Sequence, residues 1–114
     1  MDFETEKEFQ KRRAKQDEVV LEYANLQIKR FYTLDDKAYV DGALPSNVKE
    51  ILGLVASLVL RCDDCIRYHL GRCHEEGVSD EELVEALNVG LVVGGSITIP
   101  HLREALQVWH ELKK

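Results

Sequence analysis

The sequence has little that interrupts a helix and little that would staple or anchor it. Two prolines and seven glycines are spread over 114 residues. There is no internal repeat and no low-complexity tract. The β-branched run Ser96-Ile97-Thr98-Ile99 is short and has no partner run; a sheet is thereby excluded and an all-α fold expected. Cysteine occurs three times, an odd number that does not suggest the disulfide framework of a small secreted domain. Basic residues are outnumbered 15 to 21 by acidic ones, for a net charge of −6, so no basic face for nucleic acid is expected. Uninterrupted apolar runs fall short of the roughly 18–20 residues of a membrane span. Met1-Asp2-Phe3-Glu4 offers neither a basic nor an apolar leader segment. A cytoplasmic protein with no membrane and no nucleic-acid partner is the expectation.

What is present is helical patterning. Residues 3–30 are rich in Glu, Lys, Arg and Gln, and Val19, Val20, Tyr23, Leu26 and Ile28 recur at near-helical spacing. This predicts one long amphipathic helix. Residues 31–45, with Asp35-Asp36, Asp41-Gly42 and Pro45, read as a connector. Ser46 is expected to cap a helix over 47–60. A break at Arg61 leads into a helix over 62–76 ended by Gly77. Ser79 and Glu82 form a capping box for a helix over 80–95, and Pro100 suits the first turn of a last helix ending near Lys113. The length allows a single domain: a bundle of about five to six helices over 1–114, with 1–40 as an N-terminal helical extension and 44–114 as the core.

Two helices are apolar nearly all round, Ile51–Leu60 and Ala86–Val93. A helix of this kind has to be covered on every face, which is difficult within one small chain. Homo-oligomerisation is therefore expected.

The chemistry concentrates in one span: Glu50, eleven residues, Cys62, two residues, Cys65, three residues, His69. With Cys62 at the start of a helix, Cys65 and His69 fall on nearly the same face. The helix N-terminus favours a thiolate. Thiols one turn apart can close a disulfide there, and His69 can exchange protons with Cys65. If the helices flanking Arg61 form an antiparallel hairpin, Glu50 and His69 differ by only about 4.5 Å along the axes. The order Glu50–His69–Cys65–Cys62 then describes a proton-coupled dithiol.

Zinc is the rival reading. Cys62, Cys65, His69 and Cys73 share a helical face, but Cys62 and Cys73 stand about 16 Å apart along a straight helix and cannot share one ion. Cys62, Cys65 and His69 could supply three ligands, with Glu50 or water as the fourth, in a zinc-binding structural module. Cys73 reads as a small buried hydrophobe and His74 and His110 as surface residues. For His101, after Pro100, the spacing demands no contact with the site.

The pattern Glu50-x11-Cys62-x2-Cys65-x3-His69 resembles the signature of alkylhydroperoxidase D and its relatives in the carboxymuconolactone decarboxylase superfamily. The run from Gly77 to Leu87 is similar to the segment that follows the redox helix in that family. The resemblance covers residues 44–106. It implies an all-α fold, trimers or hexamers, and reduction of organic hydroperoxides by thiols, with no bound cofactor. Cys65 would attack the peroxide and Cys62 would resolve the sulfenic acid as a disulfide. His69 and Glu50 would relay the proton, and an external dithiol donor, lipoyl or thioredoxin-like, would restore the thiols. Helix position alone selects Cys62 as the more reactive and more exposed thiol, whereas the resemblance selects Cys65. Asp64 stands where many peroxidase members carry histidine. With Asp63 it should disfavour the thiolate. A general disulfide oxidoreductase without peroxidase action is the alternative. The superfamily's decarboxylase branch generally lacks the cysteine pair.

Overall fold

A computed structural model describes residues 3–114; Met1 and Asp2, the first half of the Met1–Glu4 stretch expected to offer no leader segment, lie outside the described residues. Every element described is helical. The chain divides into two compact units, Met1–Val40 and Asp41–Lys114.

The first unit holds α1 (Glu6–Tyr23) and α2 (Leu26–Ala38). Thr5 and Glu8 cap α1 reciprocally, satisfying two donors that the first turn would leave open. The expected single helix over 3–30 is broken at Ala24-Asn25. Ala24 is extended, and Asn25 Oδ1 accepts the N–H of Ile28 at 3.0 Å. An asparagine side chain competes well for such a donor, so it stops one helix and starts another despite continuous apolar periodicity. Helix α2 then runs through most of the expected connector. The Tyr32 hydroxyl donates to Asp17 at 3.1 Å and ties α2 to α1. Val19, Leu21, Tyr23, Leu26, Phe31 and Leu34 are exposed.

The second unit holds α3 (Ser46–Leu60), α4 (Asp63–Glu75), α5 (Asp80–Gly94), a 3-10 turn over Ser96–Thr98, and α6 (Ile99–Leu112). Helix α3 packs on α4 and α5, and α4 packs on α6. The core they enclose includes Leu54, Leu58, Ile66, Leu70, Leu83, Leu87, Val108 and Trp109. Ser46 is not the N-cap. Pro45 holds that place with an extended backbone, and Ser46 is the first helical residue, its N–H bonded to Asp41 Oδ1 at 2.6 Å. A carboxylate five residues upstream thus fills the capping role, which frees the Ser46 hydroxyl to donate to Glu76 at 3.1 Å. The Ser79–Glu82 capping box opens α5. Gly77, at φ 78°, ends α4 in a left-handed turn that glycine adopts without a Cβ penalty.

Leu52, Leu60, Val89, Val92 and Val93 remain exposed, so α3 and α5 keep apolar side chains in solvent. Among the described residues no helix is long and apolar enough to cross a membrane.

Candidate active site

The turn between α3 and α4 places the first cysteine. Arg61 adopts a left-handed conformation (φ 59°). Its N–H bonds Leu58 O at 3.0 Å, and the Cys62 N–H bonds Ser57 O at 3.1 Å. These two bonds close α3 as a Schellman turn. Cys62 is also the N-cap of α4, its sulfur accepting the N–H of Cys65 at 3.3 Å. One residue therefore ends a helix and begins the next, and its sulfur faces the positive end of α4. Cys62 and Cys65 are joined by a disulfide with a Cα–Cα separation of 5.3 Å. Cys65 is the exposed member and Cys62 is half-buried. Helix position alone pointed the other way on exposure, because it ignores the backbone of Cys62 being tied down against α3.

His69 follows one turn after Cys65 and is buried. The α3–α4 hairpin brings Glu50 to it: Nδ1 of His69 lies 2.8 Å from Glu50 Oε1. Glu50 is 1 % exposed. Its second oxygen, Oε2, lies 3.5 Å from Nε of Arg72. With a cation on one oxygen and an imidazole on the other, the group is arranged as an ionised carboxylate, which only accepts hydrogen bonds. Nδ1 of His69 is then the donor, and Nε2 keeps the lone pair in the neutral ring.

Two residues of this arrangement were not singled out by spacing. Arg72 is the first. It is only part-exposed and also bonds Glu75 at 2.5 Å and Glu76 at 3.2 Å. Burial works against its charge, but the carboxylates of Glu75 and Glu50 outweigh that and hold it above the usual guanidinium range. Its position three residues after His69, on the same helical face, was the available signal. Gly53 is the second. A β-carbon there would stand 2.6 Å from Cε1 and 2.8 Å from Nε2 of His69, so the ring packs directly on the backbone of α3.

Cys73 is buried in the core, and burial, with the Glu50 charge adding to it, pushes its thiol up to about 12. His74 and His110 are exposed. Nδ1 of His101 lies 2.6 Å from Asp63 Oδ1, a contact joining α6 to the residue after Cys62. Among the described residues no group of three or more His, Cys, Asp or Glu side chains is gathered as a metal site. An open cleft of about 360 Å³, lined in part by His74, Asp80, Trp109 and Lys113, contains none of the dithiol residues.

The carboxymuconolactone decarboxylase family model matches residues 28–108. A crystal structure from Thermotoga maritima, of a protein described as a member of that family and a candidate for a part in antioxidative response, is 55% identical with a TM-score of 0.89. The match covers 92% of this chain and 89% of that one. A family member from Legionella pneumophila is 25% identical with a TM-score of 0.85, covering 93% of this chain and 95% of its own. A Paracoccus denitrificans protein, described as uncharacterized protein 4 in the cox locus, is 28% identical over 82 residues. Those residues are 72% of this chain and 74% of that protein.

Proposed function

This chain belongs to the carboxymuconolactone decarboxylase family, and on that premise we propose that it is a thiol-dependent peroxidase, reducing organic hydroperoxides through Cys62 and Cys65. The observation that carries the proposal is the buried Glu50–His69 pair, at 2.8 Å, one turn along α4 from a redox-spaced cysteine pair. The antioxidative description of the Thermotoga maritima relative is consistent with it.

In this reaction Nε2 of His69 takes the thiol proton of Cys65, while Glu50 holds the ring by Nδ1–H and stabilises the imidazolium. The Cys65 thiolate attacks the peroxide, so that an S–O bond forms as the O–O bond breaks. The alkoxide leaves as alcohol with the proton from His69. Cys62 then attacks the sulfenic sulfur, forming the S–S bond and releasing water. The two electrons are returned by an external dithiol, lipoyl or thioredoxin-like, through exchange at the exposed Cys65. No bound cofactor takes part. A homo-oligomer, trimer or hexamer, covers the apolar side chains that α3 and α5 leave in solvent.

The test is to mix reduced protein with cumene hydroperoxide and count free thiols. Loss of the Cys62 and Cys65 thiols, abolished by Cys65→Ser, is the expected result. Unconsumed peroxide together with intact exchange against a small disulfide would overturn peroxidase action and leave a general disulfide oxidoreductase. Stoichiometric zinc in purified protein, lost in Cys62→Ser, would replace both with a structural module.

A further inference from the structure

The dithiol is flanked by a second histidine–carboxylate pair that the relay does not use. Asp63 is the first residue of α4, directly after the Cys62 N-cap. Left alone, its carboxylate would compete with a Cys62 thiolate for the same helix N-terminus, and Asp64 would add to the opposition. It is not left alone. His101, 38 residues away on α6, brings Nδ1 to 2.6 Å from Asp63 Oδ1.

The contact is built into the fold rather than made by a wandering surface side chain. His101 follows Pro100 in the first turn of α6, where the proline ring limits the backbone. The corner before it is tightly packed. Thr98 is fully buried and its hydroxyl donates to Gly95 O at 2.8 Å. A β-carbon on Gly94 would stand 2.5 Å from Thr98 Cγ2. The imidazole is itself only 24% exposed. The start of α6 is thus delivered to the start of α4 by a corner with little freedom.

We propose that His101 is a positioning residue for the dithiol: by binding the Asp63 carboxylate it takes up the negative charge that would otherwise oppose a thiolate at Cys62. Asp63, as an ionised carboxylate, accepts, so Nδ1 of His101 donates. The donated N–H draws the carboxylate charge toward α6. Of the charges nearest in sequence, Arg61 also favours the thiolate, and Asp64 remains against it. This inference rests on Cys62 and Cys65 acting as thiols, and is indifferent to which oxidant they meet.

The experiment follows alkylation of Cys62 by iodoacetamide at pH 7 in the reduced full chain, with the site assigned by peptide mass. Native protein, His101→Leu, Asp63→Asn and the double variant are compared. His101→Leu, which has no N–H to donate, is expected to slow alkylation roughly threefold to tenfold, the size of one carboxylate charge released at partly solvated separation. In the Asp63→Asn background the same substitution should do nothing, because the charge it answers is gone. Equal slowing in both backgrounds would mean a merely structural role and overturn the proposal, as would an unchanged rate in His101→Leu. Alkylation needs no peroxide, so these outcomes stand apart from the fate of the peroxidase proposal.

Discussion

Gly53 and His69 meet without a side chain between them: a β-carbon at position 53 would stand 2.6 Å from Cε1 of the imidazole. The ring lies on bare backbone of α3, one turn past Glu50, and that closeness lets Nδ1 reach the carboxylate. Gly53→Ala should therefore push the ring aside. The substitution improves helix propensity by up to about 1 kcal/mol while overpacking costs about 1–3 kcal/mol. A small change in the melting midpoint combined with a large loss of peroxide turnover is the expected outcome. Retained turnover would show that the ring has room to spare.

Removing either member of the relay should slow thiol activation. Positioned acid–base groups contribute roughly 10²–10⁴-fold, so His69→Ala should lower the second-order rate with cumene hydroperoxide by about that range. Glu50→Gln keeps the shape but loses the charge that stabilises the imidazolium, and a smaller loss is expected. Stopped-flow kinetics on pre-reduced protein measures both. Normal rates in the two variants together would remove the relay from the mechanism.

Arg72→Met should remove the cation beside the Glu50 carboxylate and leave it the N–H of the His69 ring. Breaking a fully buried pair costs about 3–5 kcal/mol. Arg72 is 33% exposed and its Nε stands 3.5 Å from Oε2, so solvent screening reduces this. A loss of about 1–2 kcal/mol in urea unfolding at pH 7 is expected. An unchanged midpoint would mean that Arg72 serves Glu75 and Glu76 alone.

Cys73 should stay silent in the folded protein. Its thiol, pushed up to about 12 by burial and then by Glu50, is protonated at pH 8, and alkylation of the reduced protein there should label Cys62 and Cys65 but reach Cys73 only after denaturation. The linkage has a definite sign. The folded protein holds this proton more tightly than the unfolded chain, whose thiol titrates near its ordinary value of 9.0. The associated stability is present in full below that pH and is lost as pH rises from about 9 toward 12. Denaturant titrations of native protein and Cys73→Ala across that window should converge as pH rises.

Much of the site was legible from spacing, because helical rise per residue is constant and a hairpin reverses it. Eleven residues from Glu50 to the turn and eight from the turn to His69 leave the two at similar height, and the 2.8 Å contact follows. Helix ends with a side-chain cap or a glycine, at Ser79–Glu82 and at Gly77, were also visible. The break at Asn25 was not, since apolar periodicity continues through it and a single side-chain hydrogen bond outweighs the pattern. Nor was the cap on α3, where the acceptor comes from Asp41 rather than from the adjacent serine.

The sequence by itself determined the all-helical class, the place where α3 turns into α4, and the shared face of Cys62, Cys65 and His69, all of which depend on residues within a few turns of one another. Only the tertiary structure decided that Arg72 pairs with Glu50, that Gly53 yields its space to the imidazole, and that His101 answers the charge of Asp63. Those are matters of a few ångströms between separately formed helices, and they are set by how the side chains of Leu54, Leu58, Ile66 and Leu70 pack the elements together.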